Sequence, residues 1–226
     1  AIHVGIPIVL IMLQPDLGNA LVFIVIAVGM LFLAGINIKF VFGSIAALLV
    51  SFPILWNFVL LSHQKSRLTT FINPYNDPLG DGYHVIQSML AVGSGQVSGK
   101  GLLNEETLTN LNFLPEQWTD FIFSVISELT GFFGSALVVI LFAFFLFRLL
   151  YLAKIAKDQF GTLIILGIFS MYLFQIVENI GMTIGLMPIT GITLPFLSYG
   201  GSSLLTNMIA IGLVLNVNMR RHKIKF

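Results

Sequence analysis

The sequence predicts an all-α, polytopic membrane protein with about six transmembrane helices and one long connecting segment. Three observations carry that prediction. The 226 residues are 57% hydrophobic and 9% charged, with a mean hydropathy of +0.96, values that make a bilayer rather than water the principal solvent. The apolar runs are long and unbroken instead of alternating with period two, and of the two structures that can span hydrocarbon, helices and closed barrels, this pattern selects helices. A single stretch, 63–130, interrupts the pattern and holds most of the polar chemistry: Lys65, Arg67, Asp77, Asp81, His84, Lys100, Glu105, Glu106, Glu116, Asp120 and Glu128. A segment that long is not a passive connector.

Taken in order, the spans are expected at 1–13 (shortened), 17–37, 40–62, 131–152, 161–187 and 203–219, where the apolar runs approach the length a helix needs to cross. The chain opens at Ala1 inside an apolar run, without methionine or a charged leader, and is read as the C-terminal part of a longer protein. Three regions follow: transmembrane helices over 1–62, a large loop over 63–130, and three further spans over 131–226 with a basic tail. Pro188, Gly191, Pro195, Gly200 and Gly201 fall where another helix should be starting, so 188–202 is expected to be re-entrant. Non-helical backbone at membrane depth persists only when buried in protein or lining a cavity.

Sidedness follows from the basic residues. Lys39, Arg148, Lys154, Lys157 and the tail RRHKIKF hold eight of the eleven Lys and Arg, and alternating spans put all of them on one side, the cytoplasmic one. The long loop, the turn QPDLG (14–18) and the segment 188–202 then face outward together. Lys65, Arg67 and Lys100 break the pattern; an anionic ligand at the membrane surface would account for them, and scattered loop charge is the plain alternative. The chain has no cysteine, which excludes disulfides and thiolate catalysis within it.

The run GSGQVSGKG (93–101) does not satisfy a phosphate loop, because Ser94 stands where the first glycine is needed and Gly101 where a hydroxyl is. What survives is a backbone able to approach a ligand closely beside one cation, or a flexible turn. From Trp118 onward, Asp120, Ser124, Ser127 and Glu128 fall within roughly 100° of one another on a helix, with Phe121, Ile122, Val125, Ile126 and Leu129 around the rest. Carboxylates in such a setting are costly and point to function or to a structural ion pair. If Asp120 begins that helix with Thr119 near its cap, the helix dipole favours its anion, whereas desolvation opposes it. Glu178, in QIVEN (175–179), has Gln175 and Asn179 one turn away to satisfy it, so a helix-packing role stands beside a catalytic one.

These motifs, taken together, resemble a known family. QPDLG, then RLTTFINPYNDPLGDGYHVIQSMLAVGSG, GKG, FLPEQWTDFIFSV and NIGMTIGLMPITGITLPFLSYGGSSLL are similar, in that order and over nearly the whole chain, to the SEDS proteins of bacterial shape, elongation, division and sporulation. The spacing of NP, DPLG, GYH, IQS and GKG is more like the rod-shape branch than the division branch. The resemblance implies a ten-span fold of which this chain holds about the last six. It also implies a peptidoglycan glycosyltransferase that polymerises lipid II at the outer face of the bacterial cytoplasmic membrane, with Asp120 as the family's essential aspartate. On that reading Asp120 is the base for the acceptor hydroxyl; Lys65, Arg67 and Lys100 are candidates for the pyrophosphate; and His84, Glu116, Ser198 and Tyr199 join them as substrate-binding candidates. A direct, inverting displacement is expected. No metal ligand cluster is evident, although a divalent cation, Mg or Mn, could assist the pyrophosphate.

The implied partners are lipid II, the growing glycan strand, a class B penicillin-binding protein and other elongation-complex membrane proteins, with no nucleic acid. Some positions depart from the family pattern: Leu129 replaces a second glutamate after Glu128, Trp118 stands where a polar residue is common, and Gln96 where glycine is. Two other readings compete. A lipid II transporter would place ionisable groups near the midplane, where only Glu178 lies, and a non-catalytic scaffold would tolerate Asp120→Asn. Residues 1–226 alone are expected to be inactive.

Overall fold

In the computed structural model, residues 2–33, 35, 43, 50, 62–101, 107–111 and 113–220 are described, and every regular element among them is helical. These are α1 (Ile2–Leu13), α2 (Leu17–Leu33), α3 (Ser62–Ile72), a 3-10 turn (Pro74–Asn76), α4 (Asp81–Ser94), α5 (Ile122–Lys154), α6 (Gln159–Thr183) and α7 (Gly201–Met219). The α5, α6 and α7 helices are long and apolar enough to cross a membrane; α1 and α2 are apolar but shorter. The span expected at 40–62 lies outside the described residues except at isolated positions. The α6 helix stops at Thr183, and 184–200 is non-helical, as the Pro and Gly positions predict.

The chain divides into two compact units. The first combines Ala1–Lys65, Arg148–Phe174 and Ala210–Phe226. In it the QPDLG turn becomes a helix start: Asp16 accepts the Asn19 backbone N–H at 3.0 Å and the Asn19 side-chain amide at 2.6 Å, satisfying a donor that the first turn of α2 leaves open. Asp158 does the same for α6 by accepting from Gly161 N–H at 2.7 Å. Gly167 on α6 faces Met30 and Ile26 of α2, and Gly161 faces Val217 of α7, small residues that let helices approach closely in lipid.

The second unit combines Ser66–Phe147 and Gln175–Ile209. Its polar loops are organised by their own side chains. Asn73 accepts from Tyr75 N–H at 3.1 Å and Asp77 from Gly80 N–H at 3.0 Å, so NPYNDPLG folds into two successive capped turns that deliver the chain to α4. The α4 helix turns Val85, Ser88 and Ala91 inward at helical spacing.

A break in α5 fixes the rest. Gly131 has φ 67° and ψ −160°, a conformation open essentially to glycine alone, and it interrupts the helical ladder. The carbonyls of Glu128 and Leu129 would ordinarily accept from Phe132 and Phe133. Instead they accept from Lys100 N–H at 2.9 Å and Gly101 N–H at 3.0 Å, while Phe132 and Phe133 donate to the carbonyls of Gln96 and Val97 at 2.9 and 3.4 Å. The segment 96–101 is therefore inserted into the break and replaces each lost backbone bond, as burial demands. A side chain at Gly99 would strike the Leu129 carbonyl. What GSGQVSGKG approaches so closely is the backbone of α5.

Candidate active site

Residues 113–121 coil into consecutive turns instead of entering the helix directly. The Glu116 carbonyl accepts from Thr119, Asp120 and Phe121 N–H at 3.2, 3.1 and 3.2 Å, with Glu116 itself at φ 50°, a left-handed geometry uncommon outside glycine. Helix α5 begins at Ile122, two residues after Asp120. The expectation that Thr119 caps it is corrected: the Thr119 hydroxyl donates to the Glu116 carboxylate at 2.9 Å, because the extra turn places that oxygen beside it. Asp120 still stands just before the first turn of α5, where the helix dipole favours an anion. Beneath it, Leu114, Phe121 and Val125 form a buried core with Ile122, Leu129 and Ile189 packed on it.

Three consecutive carbonyls in this turn are held from outside it. Trp118 accepts from Tyr199 N–H at 2.8 Å, Thr119 from the Ser198 hydroxyl at 2.6 Å, and Asp120 from the Asn179 amide at 2.8 Å. Asn179 also donates to Ile192 at 2.8 Å, and Ser198 accepts from Leu194 N–H at 2.7 Å. The non-helical segment 184–200 is thus bolted to the turn that carries Asp120, and an oxygen of Asp120 lies 3.5 Å from where a Cβ on Gly191 would stand. The expected pairing of Glu178 with Gln175 and Asn179 is also corrected. Glu178 accepts from the Thr190 hydroxyl at 2.7 Å, since neighbours on a helix project about 100° apart and Asn179 points to Asp120 instead.

Burial pushes the Asp120 carboxyl above the ordinary carboxylate range, the Glu116 charge pushes it further, and Arg67 and His84 pull it back. Four candidates from the sequence, Asp120, Glu116, Arg67 and His84, therefore share one electrostatic neighbourhood. His84 is stacked on Phe121, with ring centroids 6.2 Å apart and planes 7° from parallel. Lys65 precedes Arg67 by two positions on α3, so the two side chains leave the helix about 200° apart. Ser198 and Tyr199 join through the backbone bonds above. Trp118, Glu116, Thr119 and Tyr199 line a cavity of 380 Å³ at this turn.

Lys100 is held elsewhere. Its Nζ lies 2.7 Å from Glu128, a carboxylate with no exposed surface, which also accepts from Leu108 N–H at 2.7 Å and from Thr109 N–H and Oγ1 at 3.0 and 2.7 Å. Glu128 thereby clasps 94–101 and 107–109 to α5. Ser124, Ser127 and Glu128 are buried as the predicted polar stripe requires, but Phe121, Phe123 and Val125 are buried too. The first turns of α5 are enclosed by protein on most sides, so the alternation reports two kinds of packing and not a lipid face. Asn179 and Trp118 were not singled out as site residues from sequence; the signal for Trp118 was its departure from a polar pattern, and for Asn179 its place in an apolar helix beside an acid. Among the described residues no three His, Asp or Glu side chains converge as metal ligands.

A family model for FtsW, RodA and SpoVE, described as cell cycle protein, matches residues 1–223. The chain is 42% identical over 216 residues to the stage V sporulation protein E of Bacillus subtilis, covering 92% of this chain and 56% of that protein. It is 37% identical over 215 residues to the peptidoglycan glycosyltransferase MrdB of Escherichia coli, covering 95% and 58%, and 49% identical over 163 residues to the peptidoglycan glycosyltransferase RodA of Treponema pallidum, covering 72% and 37%. The chain thus spans little more than half the length of the first two relatives. Among solved structures, a chain from a study of polymerization and crosslinking by a peptidoglycan synthase complex matches with a TM-score of 0.77 at 32% identity, over 96% of this chain and 59% of that one. The rod shape determining protein RodA of Thermus thermophilus matches with a TM-score of 0.62 at 29% identity, over 96% and 54%.

Proposed function

Because this chain belongs to the FtsW/RodA/SpoVE family of cell cycle proteins, we propose that it carries the catalytic turn of a multi-pass peptidoglycan glycosyltransferase acting on lipid II. The observation that carries the reading is Asp120: a carboxylate at the mouth of a membrane helix, with burial raising its proton affinity and its backbone fixed by Asn179. A general base works best when its pKa approaches the working pH, and partial desolvation moves a carboxylate that way.

In the proposed step, Asp120 takes the proton of an acceptor sugar hydroxyl as that oxygen attacks the anomeric carbon of the donor. The new C–O bond forms as the bond from carbon to the lipid pyrophosphate breaks, and the pyrophosphate leaves with the electron pair. Inversion converts an α-linked donor into a β-1,4 link. Arg67, with His84, is positioned to offset the leaving charge, electrostatic stabilisation of the kind that dominates such reactions. Lys65 and Lys100 stay as secondary candidates for the same role, Lys100 through an ammonium already fixed by Glu128. Ser198 shapes the turn, and Tyr199 borders it.

The active turn is proposed to face outward, and a class B penicillin-binding protein is the proposed partner. The DPLG and GKG motifs support elongation of rod-shaped cells over division or sporulation. One experiment tests these together. Full-length protein is purified with an elongation-class or a division-class transpeptidase, supplied with labelled lipid II, and compared as wild type and Asp120→Asn. Glycan strands from wild type with the elongation partner, and at least a hundredfold less from Asp120→Asn, are expected. Equal synthesis by both removes Asp120 from the base role, synthesis only with the division partner reassigns the branch, and none from folded wild type sinks the activity.

A further inference from the structure

We propose that the cavity bordered by Glu116, Trp118 and Tyr199 is a binding subsite for the acceptor amino sugar, with the two aromatic rings as its platform. This rests on the glycosyltransferase reading and adds to it the place where the acceptor lies. The cavity, at 380 Å³, falls within the range of about 300–1,000 Å³ typical of small-molecule sites. Trp118 is 55% exposed and Tyr199 79%, aromatic surface that borders the cavity on the turn that carries Asp120. Tyr199 N–H bonds the Trp118 carbonyl at 2.8 Å, which ties the two residues together before any ligand arrives, and preorganisation of this kind lowers the cost of binding.

The ligand class follows from the lining. A pyranose ring presents C–H bonds on its faces and hydroxyls around its edge; the negative π-face of an aromatic ring attracts the first and a carboxylate accepts from the second. Glu116 supplies that carboxylate, held by Thr119 at 2.9 Å. A pyrophosphate would be repelled there, because the lining contains Glu116 and neither Lys nor Arg. Arg67 and His84, which act on Asp120, are not part of this cavity. Charge therefore separates the acceptor side of the site from the leaving-group side. Trp118 gives this chain a broad aromatic platform at that position.

The test is a titration of full-length, partner-bound protein in detergent with a soluble tetrasaccharide of alternating N-acetylated amino sugars, free of lipid and pyrophosphate, read by calorimetry. Saturable binding to wild type is expected, weakened about tenfold in Trp118→Ala and in Tyr199→Ala, and largely retained in Trp118→Phe, with melting temperatures of all variants recorded alongside to separate lost binding from lost fold. In polymerisation assays the alanine variants should raise KM with little change in kcat, the signature of lost uniform binding. Wild type that binds no tetrasaccharide, or alanine variants that bind it as wild type does, overturns the inference. If wild type polymerises lipid II while the aromatic variants bind normally, only this subsite fails; if folded wild type makes no glycan, the glycosyltransferase reading fails whatever the titration shows.

Discussion

At the scale of single residues, Asp120 is where two opposed effects meet. Burial and the Glu116 charge raise its pKa, Arg67 and His84 lower it, and the upward effects win. Sequence showed the residue and set desolvation against the helix dipole, but it showed neither their balance nor the charges of Glu116, Arg67 and His84 acting on it, because these depend on how the 113–121 turn packs. Two consequences carry opposite signs. As a base, Asp120 must be ionised, so kcat at saturating substrate should fall as pH drops through a pKa above the ordinary carboxylate range. Removing the like charge in Glu116→Gln should move that acid limb to lower pH, and Arg67→Gln should move it higher; limbs that stay in place in both would deny Asp120 the base role. For stability, a carboxyl whose folded pKa exceeds its unfolded value contributes stabilisation that is complete below the unfolded pKa and lost as pH rises through the folded one. Asp120→Asn should therefore melt no lower than wild type at neutral pH while losing activity, which separates a catalytic loss from misfolding. Asn179 illustrates what one sequence conceals: its neighbour Glu178 suggested a local pair, yet its amide spans 59 positions to reach Asp120.

At the scale of elements, the break in α5 is the least local feature. The sequence put the start of a span at 131, which is the residue where the helix kinks, because composition changes there from polar to apolar. The polar stripe from Asp120 placed a helix ahead of that point, and the structure begins it at Ile122, but nothing in the sequence showed that it runs on through Gly131 or that 96–101 fills the gap, since backbone exchange between segments some 30 positions apart leaves no periodicity. Gly131 and Gln96 test the arrangement from both sides. Gly131→Ala puts a side chain into a conformation only glycine adopts readily and into the backbone of Val97 and Gly99, so a loss of about 1–3 kcal/mol is expected, and more if the inserted segment is expelled. Gln96 sits at φ 47°, a backbone conformation that favours glycine. Gln96→Gly should relieve strain and gain about 0.5–1 kcal/mol. Thermal melts of the detergent-solubilised protein measure both; a neutral Gly131→Ala would mean that α5 can run straight and that the insertion is dispensable.

At the scale of the whole molecule, the all-helical membrane fold was legible because bilayer physics leaves few alternatives, and helices α5, α6 and α7 meet the length and hydropathy needed to cross. Sidedness rests on charge alone, and it decides whether Asp120 can reach a substrate on the outer face. The segments 113–121 and 188–200, which span parity assigns to one side, are hydrogen-bonded to each other through Trp118, Thr119, Ser198 and Tyr199, so orientation is fixed for both once it is known for either. The chain contains no cysteine, so single cysteines at Asn76, in an exposed capped turn before α5, and at Lys157, in the exposed turn after it, can report the two ends of that helix. If the spans alternate, eight of the eleven basic residues share the Lys157 side and that side is cytoplasmic, so a membrane-impermeant maleimide added to intact cells should label Asn76→Cys and leave Lys157→Cys unlabelled until the membrane is opened. The reverse pattern would turn Asp120 toward the cytoplasm and rule out polymerisation at the outer face. Labelling of both from outside would mean that α5 does not cross.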